Sequence, residues 1–263
     1  LGKLEYVPDD RTIFIGEYVR PEVHVPARFD FDRHRRPLPN LNWGNDKWQN
    51  CVIAAQANQL LRFERIEQRQ TIMLADSDVV KRYQSLTNSV APGDTRDVGN
   101  SVLEAMKFWR NHGWLHDFKI EDRHYHLHSH IAAYGELEPR DRASLRSACY
   151  TMHGIFIGLW LPKAAKKMAR DGYLYFSGKN GPEWAPGSWG GFLGYSKAFD
   201  PDGFEMLGWG EKMWVANEFI EKYADEIWAT IATFDDWRTV QAIDTEALQE
   251  KLKEISEGRN EPD

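Results

Sequence analysis

Gly44-Asn45-Asp46-Lys47-Trp48-Gln49-Asn50-Cys51-Val52-Ile53-Ala54-Ala55 is the stretch on which the fold turns. Its first half is polar and carries a glycine, as an approach loop does. From Cys51 the pattern changes. Cys51, Ala54, Ala55, Asn58, Leu61 and the Arg62-Phe63 pair recur at three-four spacing, which predicts an amphipathic helix reaching about Gln68. A cysteine in the first turn of a helix meets unpaired N–H groups and positive potential, both of which stabilise a thiolate. The loop also puts an amide side chain, Asn45, near that thiol. The same pattern describes a small buried residue at a helix start, and residue chemistry alone leaves both readings open.

Upstream, Pro8, Pro21, Pro26, Pro37 and Pro39 interrupt any helix, and only Thr12 to Ile15 reads as strand. Residues 1–42 are therefore expected to form an extended N-terminal arm. Its basic run Arg33-His34-Arg35-Arg36, flanked by Asp30 and Asp32, reads as solvated rather than as a phosphate site. Downstream, helices are predicted over Asp78 to Leu86 behind a Ser77 cap, and from Asn100 or Ser101 through Trp109 with Gly113 as the stop. A fourth is predicted over Arg140 to Met152 with Pro139 in its first turn.

Ile155-Phe156-Ile157-Gly158-Leu159-Trp160-Leu161 has strand length and strand bounding. A loop rich in Gly, Pro and Trp covers Gly172 to Gly191. Strands follow at Phe192 to Phe199, Phe204 to Gly208 and Ile227 to Phe234, around a short helix from Ala216 to Tyr223. A polar helix, Asp244 to Ser256, closes the domain at about residue 257, and residues 258–263 are expected to fray. Helices in the first half and strands in the second predict an α+β domain of two lobes over residues 43–257.

The cysteine block resembles that of the papain-like cysteine-peptidase fold, and within it a group of phage and prophage proteins. Their motif reads Gly-Asn-Asp-x-Leu-Gly-Asp-Cys followed by Ala-Ala. This chain has Gly44-Asn45-Asp46-Lys47-Trp48-Gln49-Asn50-Cys51, then Ala54-Ala55. The similarity returns at Gly154 to Pro162, at Pro186-Gly187-Ser188-Trp189-Gly190-Gly191, and around Asp225-Glu226-Ile227-Trp228-Ala229. It implies a two-lobed papain-like fold with a helical first half and an antiparallel sheet in the second. Cys51 would be the nucleophile and Asn45 the donor to the oxyanion.

The resemblance also marks two departures. Where the similar proteins read His-Ala-Val, this chain reads Phe192-Leu193-Gly194, so the histidine position is Phe192. The segment that carries the residue orienting the imidazole corresponds to Leu207-Gly208-Trp209-Gly210, which leaves Leu or Gly there, with Gly208 at the lost Asn/Thr position. Papain-type chemistry needs a thiolate and an imidazolium in hydrogen-bond reach. Phe192 can neither take nor give a proton, and loss of a nucleophile's partner costs several orders of magnitude in rate. Trp184, Trp189, Trp209 and Trp214 are expected to line or fill the relic cleft.

One tract has no counterpart in the resemblance. His124-Tyr125-His126-Leu127-His128-Ser129-His130 alternates, so a strand would project His124, His126, His128 and His130 from one face, roughly 6 to 7 Å apart. Such a row is a candidate zinc site or a pH sensor, and equally an exposed His-rich strand or loop. Gly178-Lys179-Asn180-Gly181 is too short for a phosphate-binding loop and reads as a turn.

Composition narrows the function classes. A formal net charge of −7 argues against nucleic acid or an anionic membrane as partner. No apolar run approaches the ~18 residues of a membrane span. Two cysteines, Cys51 and Cys149, exclude a disulfide framework and suit a reducing compartment. The first ten residues carry no basic-then-apolar leader pattern, so the chain is expected in the cytoplasm at synthesis. Eleven tryptophans are what a docking surface or a filled cleft uses. The expectation is a catalytically inactive domain that binds protein partners, encoded by a phage and assembled into its particle beside other virion or capsid proteins. The alternatives are an active thiol hydrolase or transferase using Cys51 with a non-standard base, and a metal-binding or pH-sensing module at residues 124–130.

Overall fold

The computed structural model describes residues 1–10, 12–20, 23–33, 38, 41–67, 74–120, 123–233 and 242–257. The N-terminal residues are extended over much of their course but lie on the domain. Ile13, Ile15 and Leu38 are buried in the same core as the rest of the chain. A 3₁₀ turn covers Ile15–Tyr18, and β1 (Phe29–Asp30) follows. Arg33 is exposed, and the remainder of the basic run lies outside the described residues.

Helix α1 (Cys51–Glu67) starts at the cysteine. Every residue from Cys51 to Glu64 is buried, so the helix is central rather than amphipathic. The N-terminal segment makes the difference. Asp32 receives Arg62 of α1 at 2.6 Å, covering a face that the periodicity alone assigned to solvent. Two of the polar groups that burial traps bond as follows: Asn58 donates to the Ala54 carbonyl at 3.0 Å, and Gln59 accepts from Thr230 at 2.6 Å.

Helix α2 (Asp76–Thr87) begins earlier than predicted, with Ala75 rather than Ser77 before it. Asp76 and Asp78 in its first turn complement the helix dipole instead. Helix α3 (Val102–His112) follows the sequence reading closely, with Ser101 as N-cap and Gly113 as stop. Strands β2 (Trp114–Ile120) and β3 (Arg123–Ser129) form a separate antiparallel pair. Strand β4 (Ile131–Leu137) leads to α4 (Arg142–Thr151), whose cap is Asp141, accepting from the Ser144 N–H at 3.1 Å. Pro139 thus precedes the helix rather than standing in its first turn, and the capping carboxylate decides the start.

The second half supplies β5 (Ile155–Leu161), α5 (Ala165–Arg170), β6 (Tyr173–Leu174), β7 (Gly190–Phe199), β8 (Gly203–Gly208), β9 (Glu211–Ala216), α6 (Asn217–Tyr223), β10 (Ala224–Ala232) and α7 (Thr245–Glu257). Among the described residues the main sheet runs β4-β10-β5-β7-β8-β9-β6, with β1 added to β7. All pairings are antiparallel except β6 with β9. The architecture is α+β with two lobes. Helix α1 packs across β7 and β8, and this contact joins the helical lobe to the sheet. Strands β1, β2, β4, β6 and β9 and helix α5 were not read from the sequence.

One buried cluster holds the sheet to the N-terminal segment. The Lys197 side chain, fully enclosed, reaches Asp30 at 2.6 Å, Glu205 at 2.7 Å and Asp32 at 3.6 Å. Arg62 lies 5.3 Å from the centre of the Tyr195 ring while bonded to the same Asp32. Burial of Asp30 raises its pKa, but the Lys197 hydrogen bond, the Asp32 N–H and the charges of Lys197 and Lys212 together outweigh it, and the carboxyl ends below its ordinary value.

Candidate functional site

Cys51 sits in the first turn of α1 and is 1% exposed. Burial raises its thiol pKa above the ordinary value, and the backbone N–H groups of Leu193 and Gly2, facing the sulfur, offset only part of that. A thiol in this state is neutral at pH 7. The helix-start position therefore does not deliver the thiolate that its dipole alone would favour. Asn45 stands in the turn before the helix, half-buried, its own N–H bonded to the Asn42 carbonyl at 2.9 Å.

Leu193 brings Phe192 to the site, because the two are neighbours on β7 with the Leu193 N–H aimed at the sulfur. Phe192 is 0% exposed. Its ring stacks on Trp209 with centroids 3.8 Å apart, and Trp209 stacks on Trp189 at 5.7 Å. Trp209 and Gly210 both have positive φ, 53° and 76°, as the two central residues of a tight hairpin between β8 and β9. That turn aims the indole back across Phe192. Gly208, at the tip of the ring, has no room for a side chain: a Cβ there would lie 2.4 Å from Phe192 Cζ.

Of the four tryptophans expected at the cleft, Trp189 and Trp209 stand there. Trp184 offers its carbonyl to Tyr223, and Trp214 belongs to β9, where it pairs with Tyr173. On the outer face of the stack, Trp189 and Trp209 line an open cavity of about 450 Å³ with Lys166, Arg170 and Met213. His153 is buried with its ring edge-on to Phe31 at 5.6 Å and to Phe63 at 6.3 Å. His112 packs on Phe108 at 4.6 Å at the C-terminus of α3.

Residues 1–4 run through the cleft beside Cys51. The Asn100 N–H donates to the Gly2 carbonyl at 2.9 Å, the Leu4 N–H to the Asn100 carbonyl at 3.0 Å, and the Lys3 N–H to the Gly191 carbonyl at 3.1 Å. The wall carrying Asn100 is fixed by Asp97, which accepts from the Gln49 N–H at 3.0 Å, the Gly93 N–H at 2.7 Å and the Tyr83 hydroxyl at 2.6 Å. Lys3 turns its side chain inward, fully enclosed, to Asp225 at 2.7 Å and Glu226 at 2.8 Å. The Lys3, Asn100, Asp225 and Glu226 roles were not read from the sequence. The one visible signal was two adjacent acids opening an otherwise apolar strand.

The histidine tract takes the form of β3, paired antiparallel with β2, and His130 falls just past its end. The side chains of His124 and His126 lie outside the described residues. His128 is exposed, and its ring centroid is 5.9 Å from that of His130. His130 Nδ1 donates to the Arg110 carbonyl at 3.0 Å. Among the described residues no group of three or more His, Cys, Asp or Glu side chains converges as a metal site would.

No family model matches the chain, and no curated protein sequence matches it significantly. Solved structures do match. A cysteine protease of Carica candamarcensis in complex with E-64 superposes with a TM-score of 0.54 at 12% identity, covering 79% of this chain and 99% of the protease. Procathepsin B from Trypanosoma congolense gives 0.54 at 7% identity over 89% and 83%. The cysteine protease and lectin-like domains of Cwp84, a surface-layer-associated protein of Clostridium difficile, give 0.56 at 10% identity over 84% of this chain and 54% of that one. At these identities the likeness is one of fold. The chain has the two-lobed papain-like fold. Among the described residues no helix is long and apolar enough to cross a membrane.

Proposed function

We propose that this papain-like domain is catalytically silent and serves as a protein-binding or structural module. The observation that carries the reading is the stack at the position the resemblance gives to histidine: Phe192 stacks on Trp209 and fills the space over the side-chain-free Gly208, one residue along β7 from the N–H that faces a buried Cys51, whose thiol burial holds neutral. A hydrocarbon ring supplies no general base to the thiol and no acid to a leaving amine. The resemblance of the cysteine block to phage and prophage proteins extends the proposal to a phage-encoded component of a particle, docked on other virion proteins. A net charge of −7 favours protein partners over nucleic acid.

The test is alkylation by iodoacetamide followed by intact-protein mass, alongside an assay with fluorogenic peptides. Cys51 and Cys149 should react equally slowly in the folded protein, with no peptide hydrolysis. A Cys51 rate orders of magnitude above that of Cys149, with turnover abolished in Cys51→Ala, would establish the rival thiol hydrolase.

A further inference from the structure

Leu1-Gly2-Lys3-Leu4 lies in the groove as a bound peptide would. Its three main-chain hydrogen bonds run to Asn100 on one wall and Gly191 on the other. These bonds read backbone and not sequence. The fit is close: a Cβ on Gly2 would lie 1.8 Å from the Gln49 carbonyl oxygen, and one on Gly191 would lie 2.3 Å from the Lys3 carbonyl oxygen. Besides excluding a side chain at the Gly2 place, the groove selects through one side chain. Lys3 Nζ has three acceptors for its three protons, namely Asp225 at 2.7 Å, Glu226 at 2.8 Å and the Leu4 carbonyl at 3.1 Å. The Trp160 ring lies 5.0 Å from the same nitrogen.

One carboxylate of the pocket has an anchor besides its occupant. Trp228 Nε1 donates to Glu226 at 2.6 Å and fixes that carboxylate from behind. Gly158 leaves the space taken by the lysine stem, since a Cβ there would lie 3.0 Å from Lys3 Cε. Two adjacent carboxylates at the mouth of an apolar sheet are costly unless a cation meets them. The pocket thus has one chemistry, a lysine on an extended strand.

We propose that the groove beside Cys51 is a receptor for an extended, lysine-bearing peptide segment of a partner protein, and that residues 1–4 occupy it in cis. Charge complementarity commits the occupant: an acidic or apolar segment leaves Asp225 and Glu226 unmet. Being tethered, residues 1–4 compete at high effective concentration, so a partner gains the groove when they leave it. The proposal rests on the reading of the domain as a binding module, and it gives that module a ligand class.

The test uses the full chain with Lys3→Glu, which sets a third acid against Asp225 and Glu226, and separately with Gly2→Val, which clashes with Gln49. A fluorescein-labelled hexapeptide of residues 1–6 is titrated by anisotropy, with circular dichroism reporting the fold. Each variant should bind the hexapeptide at least tenfold more tightly than the unaltered chain does. A hexapeptide with glutamate in place of its lysine should bind at least tenfold more weakly, and Cys51 should alkylate faster in the variants. Folded variants that bind no better than the unaltered chain, or that bind both peptides alike, overturn the proposal. Unfolding of both variants also counts against it, because a ligand held in cis is separable from the fold. Cleavage of the bound peptide, read by mass spectrometry, would sink the silent reading while leaving the receptor standing.

Discussion

Gly208 and Phe192 share a single volume: the space a side chain would take on Gly208 is filled by the ring of Phe192, with 2.4 Å between the Cβ position and Cζ. The resemblance implies an imidazole and its orienting group at these two places. A larger ring at one and no side chain at the other fit each other sterically.

The first prediction follows from that compensation. Gly208→Asn alone should destabilise the protein by about 1 to 3 kcal/mol, the usual cost of overfilling a packed site. Adding Phe192→His shortens the ring and should recover most of the loss. Urea unfolding of the four proteins of the cycle measures the coupling. Strictly additive effects would show that the two positions do not share space.

A second prediction concerns pH. Burial raises the pKa of Glu226 and of Glu136, so the folded protein holds these protons more tightly than the unfolded chain. Stability from this source is full below the ordinary carboxylate range and is lost as pH rises through the folded values. Asp30, Asp94 and Asp141 act oppositely. Their pKa values are lowered, by Lys197, by the Val90 N–H and by the Ser144 hydroxyl respectively, and their contribution disappears as pH falls through the folded values. The urea midpoint should therefore peak on the acid side of neutrality, at roughly pH 4 to 5. Glu226→Gln should flatten the approach to that peak from pH 7. A midpoint that falls steadily from pH 7 downward would contradict the assignment.

A third prediction tests the buried cluster. Lys197→Met keeps the length of the side chain but leaves Asp30, Asp32 and Glu205 facing one another without their shared cation. The expected cost is about 3 kcal/mol, toward the low end for a broken buried pair because Asp30 and Glu205 retain some solvent. A loss below ~1 kcal/mol in denaturant unfolding would mean that water replaces the ammonium.

The elements that build the site were legible where local chemistry decides them. Cys51 opens α1, Ser101 and Gly113 bound α3, and Ile155–Leu161 is a strand, because helix caps and an unbroken apolar run act over a few residues. What escaped reading depends on distant partners. Strand β9 carries Glu211, Lys212 and Trp214 and shows no clean alternation, yet β8 and β6 fix it from both sides. The full burial of α1 was hidden for the same reason, since its covering face is supplied by residue 32. The Phe192 and Gly208 positions were legible only through the resemblance, and their mutual packing was not. The role of Lys3 was not legible, because nothing local announces that residues 225 and 226 will meet it.

The Lys3–Asp225 bond joins residues 222 positions apart. Lysine 3 is synthesised long before its acceptors, and a contact of that span is among the slow ones to form, because most of the intervening chain must be ordered first. The pairings of β5 with β7 and of β5 with β10 close far shorter spans of chain, so the sheet has local routes to assembly that the Lys3 contact lacks.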